Sequence, residues 1–533
     1  MKKIFLSALF ASVVLTGCSD AYEIEQAGVV TQESQVFRTP QDVDKGIRYV
    51  YALFPGEEEI DFDSFFTDEL GVGIGNAGQG INDGSYTFQL QAGNGNAQSI
   101  WGSYYGVVNR LNRIEARIDE MIAPLNPANV NDKPTIDALN AHKAHIYALR
   151  AYCHYKLFAF FTPDYTNPNG LSVIKFDFLQ TDNYGRFEKR STVSEIVEFI
   201  ESDIQKAKAL GGITTATGSG FASNEMLEAI LIKMYSMLQT PAAYGKLEVA
   251  FNQLATSKSI ADVGTHLSMF GPSADAADFN EGIFKLNRVS TDGTVQSGVA
   301  ASWYPQSVGA APYMEMGRSL YNELDKLEPG AQGTPYSATR LDSRYLVSVF
   351  SNSTVATNYA SLSQDQYRTL DVLNIGKYPG ITNRPLMNSL WMFRFSDMLL
   401  SLAEKRAFDG NLTGTVALGD FTNVESIIFN IRANRNASGT LAPVSMPTNF
   451  SSTQAAYARI LEERRVEFAF EGQRFLDMKR LGVRANSPGF VRDPQDCAST
   501  NACSLAPGGT RSTMPIPRSE MVSNPNMVQN PGY

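Results

Sequence analysis

Residues Ile460–Leu481 read ILEERRVEFAFEGQRFLDMKRL, a run in which charged and apolar side chains alternate at a helical step. On a helix drawn from Gln454 to Gly482, Tyr457, Leu461, Phe468 and Phe475 share one face, and Glu, Arg and Lys fill the rest. Arg464 is within reach of Glu467, or of Glu471 through a different turn. Charges of both signs beside an apolar stripe point to a helix held against its neighbours by structural ion pairs.

The same period recurs upstream. Trp101–Ile122 carries Val107, Val108, Leu111, Ile114, Ile118 and Ile122 at three- and four-residue steps. Ile136–Phe161 is a second run, stopped by Thr162-Pro163. Ser191 opens a third, where Thr192 and Glu195 approach a capping box ahead of Ile196, Phe199, Ile200, Ile204 and Ala207. Ser223–Gln239 and Pro241–Thr256 read as an antiparallel pair, and Ser389–Asp409 and Asn423–Arg435 complete the set. Helix pairs spaced by about 30–40 residues suggest tetratricopeptide-like stacking in a mainly α domain. Residues 56–100 and 264–388 break the pattern with Gly, Asn, Pro, Ser and Tyr. Both are too long for simple connectors and read as loops that carry function.

With 533 residues, 43% hydrophobic and 19% charged, the chain can bury a large core. Its formal charge of −10 argues against a nucleic-acid partner. Lys2 and Lys3 precede a 12-residue apolar stretch, Ile4–Leu15, too short to span a bilayer as a helix. It ends in Leu15-Thr16-Gly17-Cys18, which looks like a bacterial lipobox. Residues 1–17 are therefore expected to be a lipoprotein signal peptide and Cys18 the acylated first residue, anchored by its acyl chains. Without that peptide the chain has 43 basic and 55 acidic residues, a formal −12. Asp20 and Glu23 just beyond resemble the acidic export signal of surface lipoproteins. Cys497 and Cys503, six apart in a polar segment of an exported chain, are expected to form a local disulfide. Cys153 reads as a small core residue.

Motifs for chemistry are sparse. Gly73-Ile74-Gly75-Asn76-Ala77-Gly78 spells GxGxxG, but Asp- and Phe-rich sequence precedes it and more Gly/Asn follows, so it reads as a loop. His142 and His145 share a helical face without an evident third ligand, so no metal site is assigned, and no cofactor is expected. HExxH, GxSxG and paired-cysteine motifs are missing. Carboxylates are plentiful, yet nothing marks a glycosidase pair.

Glu462 to Phe475, followed by Asp477-Met478-Lys479-Arg480, closely resembles the C-terminal signature of the SusD/RagB family. The chain end does too, from Met514-Pro515-Ile516-Pro517-Arg518-Ser519-Glu520 through Asn524-Pro525 to Gln529-Asn530-Pro531-Gly532-Tyr533. Further similar stretches are Arg394–Leu400 with Ala403-Glu404, Asn430–Ala433, Ala148–Tyr152 before Phe161, and Trp101 with Tyr105, Asn109 and Asn112. The resemblance implies an outer-membrane lipoprotein, exposed at the cell surface, on a tetratricopeptide-like scaffold with long irregular ligand-binding loops. It implies binding of oligosaccharide, or of peptide in some branches, beside a SusC-like TonB-dependent transporter, and no enzymatic activity. The SusD-like domain would run from 18 to 533, with an N-terminal part to about 260 and a C-terminal RagB/SusD part from about 261.

The matching motifs belong to the scaffold, so ligand residues must come from the loops. Sugar rings present apolar CH faces that an exposed aromatic ring can cover, at roughly 1–2 kcal/mol per ring. Trp303 and Tyr304, with Tyr313, are the aromatic candidates; Asp68, Glu69, Asn76, Asn82 and Asp83 are the polar ones. The competing reading of Trp303 is packing beneath its own loop, and of the polar residues plain solvation. Trp101 is assigned to the core and Trp391 to a helix. A peptide-binding lipoprotein is the alternative within the family, and a lipid-anchored glycoside hydrolase the alternative outside it.

Overall fold

The computed structural model describes residues 33–179, 186–213, 218–271, 278–288, 298–303, 311–328, 332–333, 340–381, 384–437, 446 and 450–533. Cys18 and Tyr304 lie outside them. The helices that build the body are α1 (Pro40–Tyr51), α2 (Gly56–Phe66), α3 (Gly95–Ile122), α4 (Lys133–Phe161), α5 (Val193–Ala209), α6 (Asn224–Leu238) and α7 (Pro241–Leu254). They are followed by α8 (Arg318–Asp325), α9 (Phe395–Phe408), α10 (Val424–Arg435), α11 (Thr453–Glu467) and α12 (Arg474–Leu481). Successive helices stack, α3 on α4, α4 on α5 and α6 on α7, and α6 then packs on α9, which carries α10 and α11. The mainly α architecture expected from the periodicity is the one observed.

Local chemistry sets the helix ends. The Thr192 hydroxyl accepts the Glu195 N–H at 3.2 Å while the Glu195 carboxylate accepts the Thr192 N–H at 2.7 Å, a complete capping box. Gln239, at φ 55°, ends α6, and Thr240 caps α7 ahead of Pro241 at its first position.

Three expectations need correction. Residues 389–409 are not one helix: Leu390–Arg394 is a strand, β4, paired antiparallel with β2 (Gly282–Leu286). The run Leu390-Trp391-Met392-Phe393 is buried on both faces, so periodicity could not separate strand from helix. Trp391 thus sits in a strand, and its indole N–H donates to the Met269 carbonyl at 3.0 Å. Residues 56–100 are not wholly irregular, since α2 lies within them and buries Glu59, Ile60, Phe62, Asp63, Phe65 and Phe66.

The stretch 454–482 is likewise two helices, α11 and α12, broken where Phe470 and Gly472 take φ of 62° and 71°. The freed backbone donors find acceptors far away in sequence. Phe470 N–H reaches Glu69 Oε1 at 3.0 Å, and the first turn of α12 is capped by Asp63, whose Oδ1 accepts the Phe475 N–H at 2.6 Å.

The charges of this stretch are mostly buried. Arg394 meets Glu467 at 3.0 Å and Glu471 at 2.8 Å, and Arg435 meets Glu281 and Glu467 at 2.7 Å each. Arg464 pairs with Asp397 at 2.6 Å and Asp477 at 2.7 Å rather than with Glu467 or Glu471. Lys233 on α6 reaches the same Asp397 at 2.8 Å, which ties the two halves of the chain together.

Candidate functional site

Two distant segments build the loop face. Strand β1 (Leu70–Val72) pairs antiparallel with β3 (Met314–Met316), Gly71 opposite Glu315, so the segments that extend from them emerge side by side. The GxGxxG stretch continues this ribbon: Gly73 N–H donates to the Tyr313 carbonyl at 3.2 Å and Gly75 N–H to Pro312 at 2.8 Å. Gly73 is required by that approach, because a Cβ there would strike the Pro312 carbonyl. The stretch is a loop, with turns rather than a helix directly after it.

Asn76 fastens the loop. Its amide donates to the carbonyls of Gln79 and Tyr313, both at 3.1 Å, and its oxygen accepts the Gly78 N–H at 2.8 Å. Tyr313 and Asn76 are half-buried, and Asn82 and Asp83 are exposed. The face therefore offers exposed amide and carboxylate groups at the end of the ribbon.

Trp303 does not join it. The residue is 1% exposed and its ring packs on Phe470 at 5.3 Å, so it presents no face for stacking. Packing beneath the loop, the competing reading, describes it. Asp68 and Glu69 are also withdrawn, each 1% exposed. Asp68 lies between Arg474 at 2.9 Å and Arg465 at 3.1 Å; burial opposes its charge, but the two guanidinium groups hold its pKa well below the carboxylate norm. Glu69 carries no such pair. Burial raises its pKa to about 7 against the lowering effect of the Phe470 N–H, and the Asp68 charge adds to the rise. Both residues are structural: they hold α2 and β1 against α11 and α12.

Concave surfaces lie elsewhere. Two adjoining clefts of about 490 and 320 Å³ share Glu323, Arg465 and Val491, and Asp68 lines the smaller one. A wider groove of about 1030 Å³ runs between the C-terminal end of α5 and helices α6 and α7. Of the sequence candidates that lie within the described residues, only Asp68 reaches these clefts. Arg465, Asn322 and Glu323 escaped sequence reading because a charged helix gives no sign of which side meets a cleft. His142 and His145 line a small cleft with Asp44 and Arg48. Among the described residues no group of three or more His, Cys, Asp or Glu could hold a metal ion, and no helix is long and apolar enough to cross a membrane. Cys497 and Cys503 are joined in a disulfide, and Cys153 is free and buried.

The architecture is that of solved SusD superfamily proteins. One from Bacteroides thetaiotaomicron superposes with a TM-score of 0.68 at 20% identity, covering 92% of this chain and all of its own. Another from Bacteroides vulgatus gives 0.66 at 20% identity, covering 93% and 99%. Residues 332–533 match the model described as SusD family, and residues 31–212 match one described as starch-binding associating with outer membrane. A SusD-like protein P2 from Formosa agariphila is 22% identical over 561 residues, covering both chains completely. Together these matches support the SusD/RagB family for this chain.

Proposed function

We propose that this chain is a cell-surface lipoprotein, acylated at Cys18, that captures oligosaccharide and delivers it to a SusC-like TonB-dependent outer-membrane transporter. The observation that carries the reading is the match of both ends of one chain to family models described as SusD and as starch-binding at the outer membrane. The loop face supports it. Asn82 and Asp83 are exposed, and Asn76, in the same loop, ties it to Tyr313 at the end of the β1–β3 ribbon. Amide and carboxylate groups of this kind hydrogen-bond sugar hydroxyls, and a face with few of them binds with moderate affinity, which a membrane anchor and a partnered channel offset by effective concentration.

Capture without bond cleavage fits the same geometry. Asp68 is held ionised between two arginines, and Glu69 is buried under a backbone amide and the Ser64 hydroxyl at 3.2 Å. Asp68 lines a cleft but has no proton to give, and Glu69 lies beneath the surface, so neither is set to protonate a glycosidic oxygen. The reading is tested by native electrophoresis of the chain from Ser19 onward through gels containing soluble polysaccharides, with a reducing-end assay alongside. Retardation by at least one glycan with no new reducing ends is expected. Retention of peptides but of no glycan would shift the assignment to peptide capture, and release of reducing ends would overturn it.

A further inference from the structure

The stretch 490–505 touches both ends of the candidate loop. It is a hairpin of two short strands, Phe490–Val491 and Ser504–Leu505, around the turn Pro494–Cys497, closed by the Cys497–Cys503 disulfide. Cys497 is buried and Cys503 exposed.

On the side before the loop, Arg492 donates to the Thr67 carbonyl at 2.7 Å and the Phe65 carbonyl at 3.2 Å, and Val491 N–H donates to Asp68 Oδ2 at 3.2 Å. On the side after the loop, the Arg492 guanidinium donates to the Tyr86 carbonyl and stacks on the Tyr86 and Phe88 rings at 3.8 and 4.2 Å. Tyr86 in turn donates its hydroxyl to the Asp496 carbonyl at 3.0 Å.

Asp496 reaches the ribbon itself. Its carboxylate occupies the space above Gly71, where a Cβ would lie 2.6 Å from Oδ1, opposite Glu315 on the partner strand. It accepts the Arg318 N–H at 2.7 Å, just after β3, and the Tyr367 hydroxyl at 2.7 Å. One carboxylate thus joins the hairpin, the strand before the loop and the helix after β3.

We propose that the disulfide-closed hairpin 490–505 is a latch on the loop face, with Asp496 as the positioning residue that fixes the β1–β3 ribbon beneath residues 73–83. The consequence for ligand capture rests on the proposed function; the mechanical claim does not. Opening the latch releases the loop and leaves the stacked helices intact, because none of the hairpin contacts above reaches α4 or α5.

Hydrogen exchange read by mass spectrometry tests this on the chain from Ser19 onward. In the Cys497→Ser/Cys503→Ser variant, amide protection in residues 67–90 is expected to fall at least tenfold while residues 133–161 stay within twofold of wild type. Unchanged protection in 67–90, or a parallel loss in 133–161, would overturn the latch. Should that variant not fold, the folded wild type is reduced with a phosphine, thiol release is confirmed by mass, and the same peptides are read against the same criteria. Asp496→Ala should reproduce the local loss, and Asp496→Asn, which keeps an acceptor for the Arg318 N–H, should restore at least half of it on a logarithmic scale. Equal loss in both would remove Asp496 from its role. Gel retardation is then compared in the same variants. A local exchange change in a chain whose wild type binds no glycan would sink the functional reading and leave the latch standing; retention unaffected by an open latch would sever the link between them.

Discussion

Asp63 caps a helix that begins 411 residues later: its Oδ2 accepts the Arg474 N–H at 3.3 Å and its Oδ1 the Phe475 N–H at 2.6 Å. The break between α11 and α12 leaves these donors without partners in their own helix, and α2 supplies the acceptors from the N-terminal side of the chain. Burial, with the Glu69 charge beside it, raises the Asp63 pKa well above the usual range.

Asn is the closest uncharged replacement for Asp63, but it keeps only one of the two acceptor oxygens. Asp63→Asn is expected to cost about 1 kcal/mol, since its amide oxygen keeps the short bond to Phe475 while its amide nitrogen cannot accept the Arg474 N–H. Asp63→Ala strips both acceptors from a buried helix end and should cost about 2–3 kcal/mol. Urea unfolding midpoints compare the two; equal losses would show that the cap contributes nothing beyond side-chain volume.

Arg394 is the central one of three cations in a buried cluster, in contact with Glu281, Glu467 and Glu471, which Arg435 and Lys377 also meet. Arg394→Met leaves those three carboxylates to Arg435 and Lys377, and because each keeps one cation the loss should sit at the low end, about 3 kcal/mol, of what breaking a buried ion pair costs. Arg394→Lys keeps the charge but not the fork of donors, so it should fall between wild type and Met. Thermal unfolding ranks the three; a Met variant as stable as wild type would mean that the cluster is carried by Arg435.

The pH dependence of stability has a definite sign. Burial raises Glu69 to about 7, Glu315 to about 8 and Asp496 to about 7, against ordinary values of 4.5, 4.5 and 3.8. Folded values above unfolded ones mean that their contribution is complete below the ordinary values and is lost as pH rises through 7 to 8. Asp68, Asp397, Glu281 and Glu467 are shifted the other way by their arginine and lysine partners, so theirs is present above the ordinary values and is lost only in stronger acid. The melting temperature should be higher at pH 6 than at pH 8.5 by about 2–4 °C. Glu69→Gln with Glu315→Gln should flatten that slope, and a melting temperature that rises toward pH 8.5 would contradict the assignment.

Helix periodicity made most of this scaffold legible: α4, α5, α6, α7 and α10 start and stop within about three residues of the sequence reading, whereas α3 stops where expected but begins at Gly95 under the Asn94 cap, ahead of the expected Trp101. What failed was non-local. β4 is a strand because Gly282–Leu286 lies beside it, and the α11–α12 break survives because Asp63 and Glu69 come from the other end of the chain. The candidate site was legible only as loops. Asn82 and Asp83 are exposed as small polar loop residues usually are, whereas Trp303, Asp68 and Glu69 are buried by partners, Phe470, Arg465 and Arg474 among them, that no local pattern links to them.

That division separates two kinds of variant at the candidate face. Trp303 is enclosed, so Trp303→Ala opens a cavity against Phe470 and should cost about 3–5 kcal/mol; any loss of glycan retention in it accompanies a loss of fold. Asn82 and Asp83 are exposed, and the described contact of Asp83 is local, its Oδ1 accepting the Ser85 N–H at 2.9 Å. Asn82→Ala with Asp83→Ala should therefore leave the unfolding midpoint within about 0.5 kcal/mol of wild type, as surface changes usually do. Each hydrogen bond these side chains make to a sugar hydroxyl contributes about 0.5–1.5 kcal/mol, and more where the carboxylate is charged. Losing both groups should weaken retention in the glycan-containing gel by roughly tenfold. Retention unchanged in this double variant, with the fold intact, would move the binding surface away from residues 73–83 and toward the clefts lined by Arg465 and Glu323.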